Sequence, residues 1–147
     1  MSTETAPLAR GVPWHLWLVA AIAILWNGYG GYDYVMSQLQ GAAYYRRLGM
    51  TEAQIAFTAG YPVWMDAVWA VGVWSAVAGS VLLLLRSRWA LSAFVLSLVG
   101  FLASSAYALA TPGGAAVISP VMSLVIAGGC LFFIWYAWAM SRAGVLR

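Results

Sequence analysis

Lysine is missing from this chain, and charge of any kind is scarce: seven arginines, four carboxylates and one histidine among 147 residues. Charged residues make up 7% of the sequence, against about 25% in an ordinary soluble domain. That is too little charge to solvate a globular surface in water. The shortage of histidine and cysteine excludes more. Cys130, the one cysteine, can form neither a disulfide within a single chain nor a cysteine-based metal site, and is read as a small apolar core residue. With His15 as the one histidine, a haem held by two histidines cannot be built, and no metal or cofactor is assigned. His15 lies at the opposite depth from Asp33 and Asp66, so no Ser-His-Asp set can be assembled. Gly28-Tyr29-Gly30 has a glycine pattern but no preceding strand, which removes the dinucleotide reading. No relay of ionisable groups runs through the apolar segments, as proton pumping would need. The arginines sit at segment ends and form no basic stripe, so nucleic acid is not an expected partner.

What the chain has in abundance is apolar length. Hydrophobic residues account for 64% of it. A helix needs about 20 apolar residues to cross the hydrocarbon core of a bilayer, and spans are predicted at Trp14–Val35, Trp64–Leu85, Trp89–Leu109 and Ser119–Met140. Residues 1–147 then form a single membrane domain with no room for a soluble catalytic one. Runs such as Val81-Leu82-Leu83-Leu84-Leu85 lack the alternation of a barrel strand, whereas helices satisfy their own backbone groups in lipid. The predicted fold class is therefore all-α: an integral membrane four-helix bundle with a short surface helix in the first periplasmic loop.

That helix is placed at residues 51–59. Thr51 and Gln54 have the spacing of a capping box, Gly60 can supply a left-handed helix end and Pro62 a stop, and Ile55 and Phe57 give it an apolar side. Arg86-Ser87-Arg88 is a tight turn that makes spans two and three antiparallel neighbours, and Thr111-Pro112-Gly113-Gly114 is a breaker-rich loop. Alternating spans place Arg10, Arg86, Arg88, Arg142 and Arg147 on one side, and Arg46 and Arg47 with Asp33, Glu52 and Asp66 on the other. The positive-inside rule then puts both termini in the cytoplasm. The first span lacks a clean cleavage site and is read as a retained helix after a frayed polar tail, Met1–Arg10. Abundant alanine, with arginine in place of lysine, fits a high-GC bacterium, so a bacterial inner membrane is the expected location.

Tryptophan and tyrosine mark the water boundaries. Trp14, Trp17, Trp64 and Trp89 stand at predicted helix starts, while Trp69, Trp74 and Trp135 lie further in. Small residues recur at helix-packing spacing, as Gly72, Ala76 and Ser80 on span two and Gly100, Ser104 and Ala108 on span three. The oddest segment is Trp26-Asn27-Gly28-Tyr29-Gly30-Gly31-Tyr32-Asp33-Tyr34, with an amide, a carboxylate and three phenols in the outer half of a span. Topology brings Asn27, Asp33, Asp66 and Tyr107 to similar depth, a candidate pocket for a small polar ligand or the head of a lipid or quinone. Ionisable groups inside a membrane are functional hypotheses by default, and two close carboxylates would share a proton. The plainer alternative has the carboxylates satisfied by Arg46, Arg47 or water, and Asn27 by a hydrogen bond between helices.

The tract Trp26–Tyr34, followed by Tyr61-Pro62-Val63-Trp64 and by Val73-Trp74 with a leucine run ending in Arg86, resembles a group of small bacterial inner-membrane proteins, some labelled sugar transporters. The four-helix plan with a long first loop also resembles the DoxX-like family, in which a proline-containing start of span two precedes a glycine-rich helix and an arginine turn, comparable with Pro62, Gly72, Gly79 and Arg86. That family's acidic residue within span two has no counterpart here, and no catalytic residue is carried over. A transporter would need a second unit from self-association, because the two halves of the chain show no repeat. The expected function is non-enzymatic: an accessory or assembly subunit in contact with membrane lipid and other membrane subunits. The alternatives are a carrier of small solutes such as sugars, a lipid- or quinone-binding protein, or a DoxX-like redox helper.

Overall fold

The computed structural model describes residues 11–147. The predicted tail, with Arg10 and its part in the charge asymmetry, lies outside them. The described residues form helices and turns only: α1 (Trp14–Gln40), α2 (Ala42–Arg47), α3 (Glu52–Ala59), α4 (Val63–Leu84), α5 (Trp89–Ala110), a 3-10 turn at Gly114–Val117, and α6 (Pro120–Arg142). Three helices, α4, α5 and α6, are long and apolar enough to cross a membrane, and they match the second, third and fourth predicted spans to within two residues at every end. Helix α1 covers the first predicted span and continues past Val35 to Gln40. It is the least apolar of the long helices, because Asn27, Asp33 and the tyrosine-glycine tract fill its second half.

Local chemistry sets the ends. Pro13 and Pro62, both extended, precede α1 and α4. Ser119 accepts a hydrogen bond from the Met122 amide at the start of α6, with Pro120 in the first turn, where its missing N–H costs nothing. Thr51 and Gln54 form the expected capping box on α3. Gly60 departs from expectation: its φ is −85° rather than left-handed, and the chain leaves α3 through ordinary turn geometry straight into Pro62. The positive-φ glycines of this connection lie elsewhere, at Gly49 (φ +80°) and at Gly41, where φ +50° turns the chain from α1 into α2, a helix not foreseen in the sequence.

The long helices pack as a row, α1 on α4, α4 on α5 and α5 on α6. The closest approach is backbone to backbone. A Cβ placed on Gly100 would stand 2.7 Å from the Cα of Gly72 and 3.0 Å from its nitrogen. Gly79, one heptad along from Gly72, receives the ring of Phe94. In lipid, where neighbouring helices gain nothing from expelling water, such close contact is the main source of helix association. The predicted small-residue stripe is thus internal, though not directed at one neighbour: Gly72 faces α5, whereas Ser80 faces α1. The row closes toward α6 through long side chains. Leu16, Ala20 and Ala23 of α1 share a buried cluster with Leu83, Phe94, Phe133, Tyr136 and Ala137, and the rings of Phe94 and Phe133 stack 5.4 Å apart.

Each end of the bundle has its own closure. At one end α3 lies across the α5–α6 connection: Gln54 Nε2 donates to the carbonyl of Ala116 at 2.6 Å, and the ring of Phe57 sits against Gly114. At the other end residues 144–147 fold back onto the α4–α5 turn. The Arg147 amide donates to the Arg86 carbonyl at 2.8 Å, the Arg88 amide donates to the Arg147 oxygen at 2.9 Å, and Val145 and Leu146 are buried.

Replacing Gly100 by valine is expected to destabilise the chain by about 1–3 kcal/mol through overpacking. Gly128→Ala, at a position with nothing within 4 Å, is expected to be close to neutral. Unfolding in mixed detergent micelles measures both.

Candidate functional site

The predicted site residues lie at the α3 end of the bundle or on the way to it, but they do not converge on one point. Asn27 is halfway along α1, and its Nδ2 donates to Ser80 Oγ of α4 at 2.9 Å. Ser80 is fully buried, and its own hydroxyl donates a hydrogen bond to the Ala76 carbonyl at 2.9 Å. Asn27 thus belongs to the α1–α4 seam, as the plainer reading of the sequence had it.

Asp33 lies nearly two turns beyond Asn27. Its Oδ1 accepts a hydrogen bond from the phenol of Tyr44 at 2.7 Å. The two residues are 11 apart in sequence and meet because the left-handed turn at Gly41 folds α2 back along α1. Tyr44 is buried, at 6% exposed. Burial, then the hydrogen bond to Asp33 and that carboxylate's charge, push the phenol far above its ordinary value. Asp66, in the first turn of α4, accepts from Gln38 Nε2 at 3.3 Å. Each carboxylate has its own neutral donor, and among the described residues no hydrogen bond joins the two. The phenol of Tyr45 is pushed up by burial first, with the charges of Asp33 and Asp66 adding to the shift.

The arginines expected near these carboxylates are engaged elsewhere. Arg46 forms a two-pronged ion pair with Glu52 at 2.7 and 3.0 Å, and Arg47 lies over the Tyr44 ring, 5.8 Å from its centre. Tyr107 belongs to a separate aromatic group, edge-on to Trp64 at 5.3 Å and to Tyr61 at 5.7 Å. The Tyr61 phenol is pushed up by burial, then by Tyr107 and Tyr45. The predicted set therefore divides into a buried amide seam, two carboxylates each with its own neutral donor, and an aromatic group at the start of α4 and the end of α5.

No family model, curated protein or solved structure matches this chain. The likenesses to DoxX-like proteins and to the small proteins labelled sugar transporters rest on sequence pattern alone.

Sequence reasoning missed Tyr44 and Gln38 as carboxylate partners. The signal for Tyr44 was Gly41, a lone glycine between two helix-forming stretches, which marks a reversal that brings residues on either side together. His15, in the first turn of α1, also has a specific partner: its Nδ1 lies 2.6 Å from the Tyr136 hydroxyl at the far end of the bundle. Among the described residues, no group of three or more histidine, cysteine, aspartate or glutamate side chains could hold a metal ion.

Two outcomes follow for Tyr44. Tyr44→Phe removes the donor to Asp33 and is expected to destabilise by about 1 kcal/mol, at the low end for a bond to a partly exposed charge. The phenol ionises less readily folded than unfolded. The stability it contributes is therefore fully present below about pH 10, the ordinary tyrosine value, and is lost as pH rises beyond it. Stability measured from pH 8 to 12 should fall in the upper half of that range, and Tyr44→Phe should flatten the fall, with Tyr45 and Tyr61 supplying what remains.

Proposed function

We propose that this chain is a bacterial inner-membrane protein with four spans, α1, α4, α5 and α6, both termini cytoplasmic and α3 on the periplasmic side, and that it acts without enzymatic activity as an accessory or assembly subunit of a larger membrane complex. The orientation follows from the arginines at the α4–α5 turn and the end of α6, set against the carboxylates at the opposite end. The span in α1 needs support from its neighbours, because Asn27 would be unfavourable in lipid without Ser80.

The observation that carries the accessory role is the outward face of the α4–α5 pair. Where Gly72 and Gly100 draw the two helices together, an open groove of about 290 Å³ runs between them, lined by Ala67, Val68, Val71, Leu96, Val99 and Ala103 with no polar surface. Small and β-branched linings of this kind let another helix backbone approach closely. Trp74 and Trp135 also turn large apolar surface outward, 47% and 57% exposed, while Asn27 of α1 and Ser80 of α4 pair with each other inside. Trp69, by contrast, packs within the bundle, its ring 4.9 Å from that of Tyr34.

A second reading, a small-solute carrier or lipid- or quinone-binding protein, is favoured by the α3 end of the bundle, which carries Asp33 and Asp66 together with the phenols of Tyr44, Tyr45 and Tyr61. The third, a DoxX-like redox helper, rests on resemblance alone.

Purification from native membranes in mild detergent is expected to bring down partner subunits with the wild-type chain. Ala103→Phe, which fills the groove from an exposed position, is expected to release them without unfolding the chain. Recovery of this chain alone from wild-type membranes would contradict the accessory role. Loss of solute uptake in a folded Asp33→Asn or Asp66→Asn variant would move the assignment to the second reading.

A further inference from the structure

The α4–α5 turn carries a feature that an accessory role does not use. Arg86 ends α4 with φ +59°, the one left-handed residue among those described that is not glycine. Its amide donates to the Leu83 carbonyl at 3.0 Å and the next amide, Ser87, to Leu82 at 2.8 Å. This is a helix-ending pattern that favours glycine, since a Cβ crowds the backbone there. The matching position at the end of α6 is indeed glycine, Gly144, with φ +71°. An arginine kept in a strained conformation points to a use for its side chain.

Its surroundings indicate that use. Arg86 Nε donates to the carbonyl of Val145 at 3.3 Å, which holds the guanidinium beside residues 144–147. Leu85, Arg86, Ser87 and Arg147 line an open pocket of about 230 Å³, and Arg88 is bridged to Arg147 through the main chain. The only ion pair among the described residues is Arg46 with Glu52 at the other end. Asp66 begins α4 while Arg86 follows its end, so about 30 Å separates them. The pocket thus gathers arginines at the end of the bundle away from the side-chain carboxylates of Asp33, Glu52 and Asp66, while the Arg147 oxygen beside it is taken up by the Arg88 amide. Its wall is also continuous with apolar surface: Leu85 is 69% exposed and Trp89 65%. A free phosphate would gain nothing from that surface, whereas acyl chains would lie along it.

We propose that this pocket binds the headgroup phosphate of an anionic phospholipid, held between Arg86 and Arg147 with its chains along Leu85 and the outer face of α4. Basic pockets on the cytoplasmic side of a helical bundle favour such headgroups. The site rests on the membrane placement proposed above and does not depend on the accessory role.

The test uses the full chain, purified from alkali-stripped membranes and delipidated in mild detergent. Phosphatidylglycerol is then titrated against phosphatidylcholine by native mass spectrometry. The wild type should prefer phosphatidylglycerol, and each arginine removed should weaken that preference about five-fold. Two variants make the comparison. Arg86→Gly removes the charge and relieves the backbone, so it should melt no lower than wild type. Arg147→Gln keeps the main-chain bridge. Arg46→Gln, at the opposite end, should leave the preference unchanged. Equal retention of both lipids by the wild type, an undiminished preference in Arg86→Gly and Arg147→Gln, or equal stabilisation by inorganic phosphate at the same concentration would each overturn the lipid site. A chain missing from alkali-stripped membranes would overturn the membrane placement and the site with it. A chain retained there but indifferent to headgroup charge would overturn the site alone.

Discussion

The contact between Gly72 and Gly100 is the constraint from which the rest of this molecule is arranged. Two helices that touch backbone to backbone in mid-course cannot slide or rotate without a clash, and α4 is thereby fixed against α5. With α4 fixed, Ser80 is turned toward α1 and can receive Asn27, while Gly79 leaves room for Phe94 and its stack on Phe133 of α6. The same approach opens the apolar groove on the outer side of the pair. In a bilayer this ordering of causes is natural: apolar surface alone does not choose a neighbour there, so small residues and a few hydrogen bonds must do so.

The polar residues then take roles set by depth. Asn27, furthest from either end of α1, is matched within the bundle. Asp33 and Asp66, nearer the α3 end, are matched by neutral donors. The arginines follow a different rule. Arg46 is paired with Glu52, whereas Arg86, Arg88 and Arg147 gather where the backbone of residues 144–147 locks onto the α4–α5 turn. One end of the bundle is acidic and phenolic with matched groups, and the other is basic, with no ion pair among the described residues.

Much of this was legible in the sequence, for reasons particular to each element. The ends of α4, α5 and α6 could be read because an apolar run bounded by Pro62, Arg86-Ser87-Arg88 or Pro112-Gly113 has one plausible length. The Thr51-Gln54 cap could be read because its chemistry lies within a single turn. The candidate site was harder. Counting residues from a helix end estimates depth, and it placed Asn27, Asp33, Asp66 and Tyr107 near one another in height. It does not say which way each side chain faces around its helix, and that separates Tyr107 from the carboxylates. The return of Val145 and Leu146 into the core and the main-chain bridge between Arg88 and Arg147 depend on contacts between residues far apart in sequence, and local pattern carries no record of them.

The central claim is that these helices cross a bilayer with the α3 connection on one side and the arginine end on the other. Labelling with a membrane-impermeant thiol reagent tests it most directly, in sealed vesicles of known orientation and a Cys130→Ser background. Single cysteines are introduced at Ala53 in α3 and at Ala143 beyond α6, both exposed. The account predicts that Ala53→Cys is labelled only from the periplasmic face and Ala143→Cys only from the cytoplasmic face. Labelling of both from the same face would contradict it.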